Sequence, residues 1–84
     1  MINRGKMGKA LGSVICVRRC ALALSQEDLA FSSGLHRTSI SLIELGKKSP
    51  TVETLARIAK ALGVKPSKLL AAAERKLARS DKSM

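Results

Sequence analysis

The residues of this chain that could perform chemistry are few, and they form no known catalytic pattern. Cys16 and Cys20 are four residues apart, which would place both on one face of a helix. Such a pair could bind a metal or change redox state, but two small buried residues are the favoured interpretation because free cysteine is usually buried. His36, the single histidine, has no Ser, Cys or Asp pattern nearby that would form a nucleophilic dyad. Two cysteines and one histidine also cannot complete a four-ligand zinc site, so we expect no catalysis, no metal and no cofactor.

The composition predicts one small folded domain with a polyanionic partner. The 84 residues include 16 Lys and Arg against 6 Asp and Glu, which gives a formal net charge of +10. Hydrophobic residues make up 45% of the chain, too many for a disordered basic tail. Nucleic acid is the first candidate partner and anionic lipid the second. Phe31 is the only aromatic residue, which argues against RNA and single-strand modules that stack bases on aromatic side chains.

The apolar spacing and the helix-end residues predict an all-α chain of five helices. From residue 10 onward, apolar residues recur at three- and four-residue steps, and no strand pattern is present. Ser25 and Thr51 are typical helix N-caps, because their side-chain oxygens can accept a free backbone N–H. Gly34 and Gly63 are typical residues at which a helix ends.

The chain shows no linker and no repeat, so we expect one domain with two short extensions. Residues 1–9 predict a flexible basic arm, residues 10–78 the folded domain with a dimerisation helix at its end, and residues 79–84 a disordered tail. No apolar run approaches the ~18 residues of a membrane span, and the N-terminus lacks the apolar segment of a signal peptide. We therefore expect a cytoplasmic protein with no membrane partner.

Two short helices joined at Gly34 carry the residues that a helix-turn-helix requires. Ala30 is small enough for the second helix to cross over it, and Gly34 permits a tight turn. Ile40 and Ile43 would anchor the second helix to the core, while its other face is polar. Such a helix fits the major groove of DNA, which admits one helix and distinguishes all four base pairs.

Several stretches together resemble a known family. They are Ser-Gln-Glu-Asp-Leu-Ala at residues 25–30, Gly-Leu-His-Arg-Thr-Ser-Ile-Ser at residues 34–41, Gly-Lys-Lys-Ser-Pro-Thr at residues 46–51, and Leu-Ala-Arg-Ile-Ala-Lys-Ala-Leu-Gly-Val at residues 55–64. Over about residues 11–70 the chain resembles Cro/C1-type helix-turn-helix regulators (the XRE family), including single-domain controller proteins of restriction–modification systems. The resemblance implies a compact five-helix fold like that of phage repressors. It also implies a homodimer that binds palindromic half-sites of double-stranded DNA, with the recognition helix at about residues 36–45.

The resemblance also implies roles for individual residues. The residues at base-reading positions are Arg37, Thr38, Ser41 and Leu42. The residues expected to contact DNA phosphates are Gln26, His36, Ser39, Lys47, Lys48, Ser49 and Thr51. Arg19 and Glu44 correspond to a buried ion pair, and we expect both to be structural rather than DNA-binding.

Four residues depart from the family's usual pattern, namely Ala23, His36, Leu42 and Lys65, and the first two bear on helix ends. Ala23 stands where a glycine usually ends the first helix, so we expect a tighter or more helical turn there. His36 takes the usual Ser or Thr cap position of the recognition helix. We therefore expect a weaker cap and an imidazole free to approach a phosphate.

The last helix is the predicted dimer interface, because its apolar residues exceed what so small a core can cover. These residues are Leu69, Leu70, Ala73 and Leu77. Two other functions remain open. The chain could be an antitoxin-like module that binds a toxin protein and regulates its own operon. A basic amphipathic membrane binder is disfavoured, because the cationic residues are spread along the whole chain.

Overall fold

The computed structural model describes residues 4–82, and these form five α-helices with no strand. The helices are α1 (Arg4–Ala21), α2 (Gln26–Ser33), α3 (Arg37–Glu44), α4 (Val52–Leu62) and α5 (Pro66–Lys82). The all-α, five-helix fold expected from the sequence is confirmed.

Two of the predicted boundaries are wrong, because both terminal helices are longer than expected. α1 begins at Arg4, so residues 4–9 are helical rather than part of a loose arm. Met7 packs against the core, which gives this first part of α1 a folded environment. α5 continues to Lys82, so the start of the expected tail is helical as well, in a segment rich in Ala, Leu, Glu, Arg and Lys. The remaining residues of both extensions, 1–3 and 83–84, lie outside the described residues.

The core is a single apolar cluster to which all five helices contribute. Its fully buried large side chains are Ile15, Leu29, Ile40, Ile43, Ile58 and Leu62. α1 and α5 pack along each other, and α3 packs against both α1 and α2. The core therefore holds the two helices of the predicted helix-turn-helix from behind, which leaves their outer faces free.

The expectation that four residues of α5 form a dimer interface is corrected for two of them. Leu69 and Ala73 are buried within the chain itself, with 3% and 0% of their surface exposed. The reason is that α1 covers this face of α5, so the core buries more of α5 than the sequence pattern suggested. Leu77 is half-buried against the same core, and Leu70 alone among the four is exposed.

The ends of α2 show why it begins and stops where it does. The Ser25 hydroxyl accepts a hydrogen bond from the Asp28 backbone N–H at 2.9 Å, and the Ser25 backbone N–H donates to Asp28 Oδ2 at 2.9 Å. These two hydrogen bonds form a capping box, which gives the backbone N–H groups of Ser25 and Asp28 the partners that the helix itself cannot supply. At the other end Gly34 has φ +72°, a left-handed conformation that glycine adopts without steric cost.

The turn between α1 and α2 differs from the expectation for Ala23. Ala23 has φ +59° and is the only described residue other than glycine with positive φ. The alanine therefore adopts the left-handed conformation that a glycine would adopt, and the turn is not a helical extension of α1. The backbone N–H groups of Ala23 and Leu24 donate to the last carbonyls of α1, at Cys20 and Arg19.

Candidate nucleic-acid interface

The turn between α2 and α3 is fixed by backbone hydrogen bonds and by burial. The Leu35 N–H donates to the Ala30 carbonyl at 3.0 Å, which closes the end of α2 after Gly34. Ile40 and Ile43 are 0% and 1% exposed, so one face of α3 is anchored in the core. These contacts set the angle at which the opposite face of α3 is presented to solvent.

The exposed face of α3 begins with residues for which the family resemblance implies base-reading roles. Arg37 and Thr38, in the first turn of α3, are both exposed. Ser41 and Leu42, one turn later, are half-buried at the edge of the same face. The four residues therefore lie on or beside a surface that can enter a groove, with the longest and most exposed side chains at the N-terminal end.

Five exposed or half-buried polar residues surround this face. The loop that follows α3 carries Lys47, Lys48 and Ser49, all exposed. Lys48 Nζ lies 3.5 Å from the Ser39 hydroxyl, so the loop and α3 form one continuous polar surface. His36 occupies the N-cap position of α3, is exposed, and makes no capping hydrogen bond with its side chain. Its imidazole is therefore not used by the helix end.

The side chains of Thr51 and Gln26 both make hydrogen bonds that hold helices of the protein itself. The Thr51 hydroxyl accepts a hydrogen bond from the Thr54 N–H at 3.1 Å and donates to Thr54 Oγ1 at 2.9 Å, so it serves as the N-cap of α4. Gln26 Nε2 donates to Glu44 Oε1 at 3.0 Å, which ties the start of α2 to the end of α3. A phosphate contact by Gln26 would therefore coexist with a structural hydrogen bond.

Arg19 and Glu44 form an ion pair that joins α1 to α3. Arg19 Nε donates to Glu44 Oε2 at 2.7 Å and Nη2 donates to Oε1 at 3.1 Å, a two-point contact between side chains that are 13% and 4% exposed. Arg19 Nη1 also donates to the Leu24 carbonyl at 2.7 Å, in the turn before α2. One guanidinium therefore connects α1, the following turn and α3.

The protonation of this cluster follows from its contacts. Burial acts to raise the pKa of Glu44, but the hydrogen bonds from Arg19 and Gln26 outweigh it and hold the pKa below its usual range. The hydrogen bond with Glu44 raises the pKa of Arg19, against the effect of burial. Both groups are charged at neutral pH, so the pair acts as a permanent link.

The interpretation of both cysteines as buried residues is wrong for Cys20. Cys20 is exposed and Cys16 is half-buried, and both are free thiols. Cys16 Sγ lies 3.7 Å from Arg19 Nη2, beside the ion pair. Burial, followed by the Glu44 carboxylate, raises the pKa of the Cys16 thiol, which keeps it protonated. Within residues 4–82, no three His, Cys, Asp or Glu side chains come together in a way that could hold a metal ion.

Two residues with structural roles, Gly12 against α3 and Ser33 inside α2, were missed from the sequence. A Cβ atom at Gly12 would overlap the carbonyl oxygen of Ile43 and lie 2.7 Å from that of Glu44, so the backbones of α1 and α3 are in direct contact here. Ser33 is buried, and its hydroxyl donates to the Leu29 carbonyl at 2.6 Å inside α2. A glycine inside a helical pattern can signal a close backbone approach, which is the clue that Gly12 offered.

Comparisons with known proteins identify the family to which the chain belongs. No helix in the described part of the chain has the length and apolar content needed to cross a bilayer. A helix-turn-helix family model matches residues 17–69. Control protein C.BamHI of Bacillus amyloliquefaciens is 51% identical over 47 residues, which cover 56% of this chain and 58% of that protein. Control protein C.SmaI of Serratia marcescens is also 51% identical over 47 residues, covering 56% of each chain.

The aligned region thus spans less than two thirds of both relatives. Among solved structures, the restriction–modification controller protein C.AhdI of Aeromonas hydrophila superposes with a TM-score of 0.71 at 34% identity, covering 73% of this chain and 92% of that one. The family model covers the segment that contains α2, the turn and α3. The chain belongs to the helix-turn-helix family of the Cro/C1 (XRE) type, and it is similar to restriction–modification controller proteins.

Proposed function

We propose that this regulator acts as a homodimer on paired half-sites of double-stranded DNA, with α3 in the major groove. The observation that carries the proposal is the division of α3 into two faces. Ile40 and Ile43 are fully buried, while Arg37 and Thr38 are exposed beside the basic loop. A helix held rigidly on one side can present the other side to base edges at a fixed depth.

The polar groups around α3 divide by the kind of contact they can make. Arg37 is exposed at the start of α3, and its guanidinium can donate two hydrogen bonds to guanine O6 and N7. Lys47 and Lys48 lie on the loop beside it and can reach phosphates, which fixes register without reading sequence. We therefore assign specificity to the first turn of α3 and most of the affinity to the loop.

A dimer is needed because one short helix reads too few base pairs to be selective. Two copies reading half-sites about one helical turn (~34 Å) apart would supply the remaining specificity. Leu70 is 38% exposed, and Leu77 lies two helical turns further along α5 and is half-buried. We propose this side of α5 as part of the interface. Leu70→Ser would then shift the protein toward the monomer in sedimentation experiments, and an unchanged association constant would remove Leu70 from the interface.

The DNA-binding proposal is tested by selecting bound sequences from random duplexes and then measuring two variants at several salt concentrations. The selection should return palindromic sites. Arg37→Ala should weaken binding to the selected site by about 5- to 150-fold, the equivalent of ~1–3 kcal/mol, and relax one base position. Lys47→Ala should weaken binding to all sequences alike and lower the salt dependence by about one ion. Equal losses on specific and random DNA for Arg37→Ala would show that Arg37 does not read bases.

A further inference from the structure

A groove runs between α1 and α5, on a different side of α1 from the one that contacts α3. The contacts of α1 with α3 include those of Gly12 and Arg19. The groove is instead floored by Val14, Val17 and Ala72 and encloses about 400 Å³. Val17 is 64% exposed although it is apolar, so this floor is open to solvent. We name this feature the α1–α5 groove.

The rim of the α1–α5 groove is strongly basic. Arg18 lies on the α1 side, and Arg75, Lys76 and Arg79 lie on the α5 side. No Asp or Glu lines the groove among the side chains that the structure describes. A second cavity of about 520 Å³ shares Arg18 and adds Lys65 and Lys68, so the basic lining continues toward the start of α5.

We propose that the α1–α5 groove binds an acidic amphipathic helix of a partner protein. The apolar floor would receive the apolar side chains of such a helix, and the four rim cations would face its carboxylates. On α1 the groove extends from Ser13 to Ala21, which at ~1.5 Å per residue is about 12 Å, the length of two helical turns. Helix-in-groove binding of this kind uses apolar anchors at three- and four-residue spacing.

The same observations disfavour the other occupants. A second copy bound groove to groove would bring two sets of four cations together, which is unfavourable. Duplex DNA would satisfy the cations, but its phosphate backbone presents little apolar surface to the exposed Val17. A bilayer surface is flat at this scale, whereas the groove lies between two helices.

The experiment uses the full ¹⁵N-labelled chain and a blocked peptide of about 15 residues, long enough to form a helix. The peptide carries leucines at alternating three- and four-residue steps and glutamates elsewhere, and a control of the same composition has its leucines spread around the helix. We expect the first peptide to shift the amide signals of residues 13–21 and 72–79, and the control to bind at least tenfold more weakly.

Two pairs of variants locate the binding site. Val17→Ser should weaken peptide binding about tenfold, while Val52→Ser, a matched change at a residue that is 88% exposed on α4, should leave it unchanged. Arg75→Gln should weaken binding severalfold and reduce its salt dependence, whereas Arg57→Gln on α4 should not. Because Val17 is largely exposed, Val17→Ser should also fold normally and bind duplex DNA within twofold of the unmodified chain.

Four results would overturn the proposal. They are the absence of peptide binding, equal binding of the control peptide, signal shifts centred on residues 37–48, and an unchanged affinity of Val17→Ser. Random duplex DNA and vesicles of phosphatidylglycerol complete the test. If either one shifts the groove amides more strongly than the acidic peptide at equal salt, the groove is a DNA or lipid surface rather than a protein-binding one.

Discussion

The contact between Gly12 and α3 predicts that a change from glycine to alanine lowers the stability of the protein at Gly12 but raises it at Gly8, also in α1. An added Cβ at Gly12 would lie 2.7 Å from the Glu44 carbonyl oxygen and closer still to that of Ile43. Carbon and carbonyl oxygen normally approach to ~3.3–3.6 Å, so α3 would have to move by roughly 0.6 Å or more. Both obstructing atoms belong to backbone, which cannot rotate away as a side chain can. Gly12→Ala therefore separates α1 from α3.

The magnitude follows from two opposing terms. Overpacking costs ~1–3 kcal/mol, and a rigid backbone neighbour places Gly12→Ala near the upper end. Replacing glycine by alanine inside a helix by itself stabilises the helix by about 1 kcal/mol. The net expectation is a loss of about 2 kcal/mol, or roughly 8–16 °C in melting temperature for a domain of this size. Gly8 provides the matched control in α1. A Cβ there would lie 3.7 Å from Ser49 Oγ, an ordinary contact, so Gly8→Ala should stabilise the protein by ~0.5–1 kcal/mol.

Urea and thermal unfolding, followed by far-ultraviolet circular dichroism, measure both variants. Because both changes remove the same flexibility from the unfolded chain, their difference of about 3 kcal/mol reports the contact at Gly12 alone. If Gly12→Ala proves as stable as Gly8→Ala, the two backbones are further apart than the structure places them. The displacement of α3 also predicts that Gly12→Ala weakens binding to a selected site more than binding to random DNA.

Three further predictions concern the first turn, the ion pair and the thiols. Ala23→Gly should raise the free energy of unfolding by about 1 kcal/mol, because φ +59° is strained for alanine; no gain in a urea melt would contradict the left-handed turn. Glu44→Gln should cost about 3 kcal/mol by leaving Arg19 without its carboxylate. Folding lowers the pKa of Glu44, so its stabilisation is complete above the ordinary pKa of ~4.3 and is lost as the pH falls through the lower folded value. Urea midpoints measured from neutral to acid pH should therefore fall less steeply for Glu44→Gln, and parallel curves would refute the assignment. Iodoacetamide should modify Cys20 faster than Cys16 by peptide mass spectrometry, because Cys20 is exposed and the pKa of Cys16 is raised; equal rates would contradict this.

The sequence predicted the helices well where their ends are encoded locally. Ser25 and Gly34 bound α2 through contacts within a few residues, so their types alone identify a start and a stop. The same holds for α4, which is capped by Thr51 and ends at Gly63. Exposure of Arg37 at the start of α3 also follows from the apolar spacing of that helix.

Features that depend on distant parts of the chain were not predictable in this way. The burial of Leu69 and Ala73 depends on how α1 lies across α5, and apolar spacing alone does not say which neighbour covers an apolar face. The early start of α1 has the same origin. Gly46 has φ +75°, and a Cβ there would lie 2.8 Å from Lys9 Cα, so the segment expected to be a loose arm is in contact with the loop after α3.

The position of α3 depends on residues packed behind it, so stability and DNA specificity should be linked in this fold. α3 has 8 residues, too few for an isolated helix to be stable in water, so its shape and angle come from its contacts. Those contacts are the buried Ile40 and Ile43, the backbone contact at Gly12 and the ion pair from Arg19 to Glu44. Reading a base edge requires placement within about 0.5 Å, which is less than the displacement expected for Gly12→Ala. Substitutions behind α3 should therefore weaken the protein's discrimination between DNA sequences more than its general affinity for DNA. The reason is that the exposed lysines keep their charge whatever the angle of the helix.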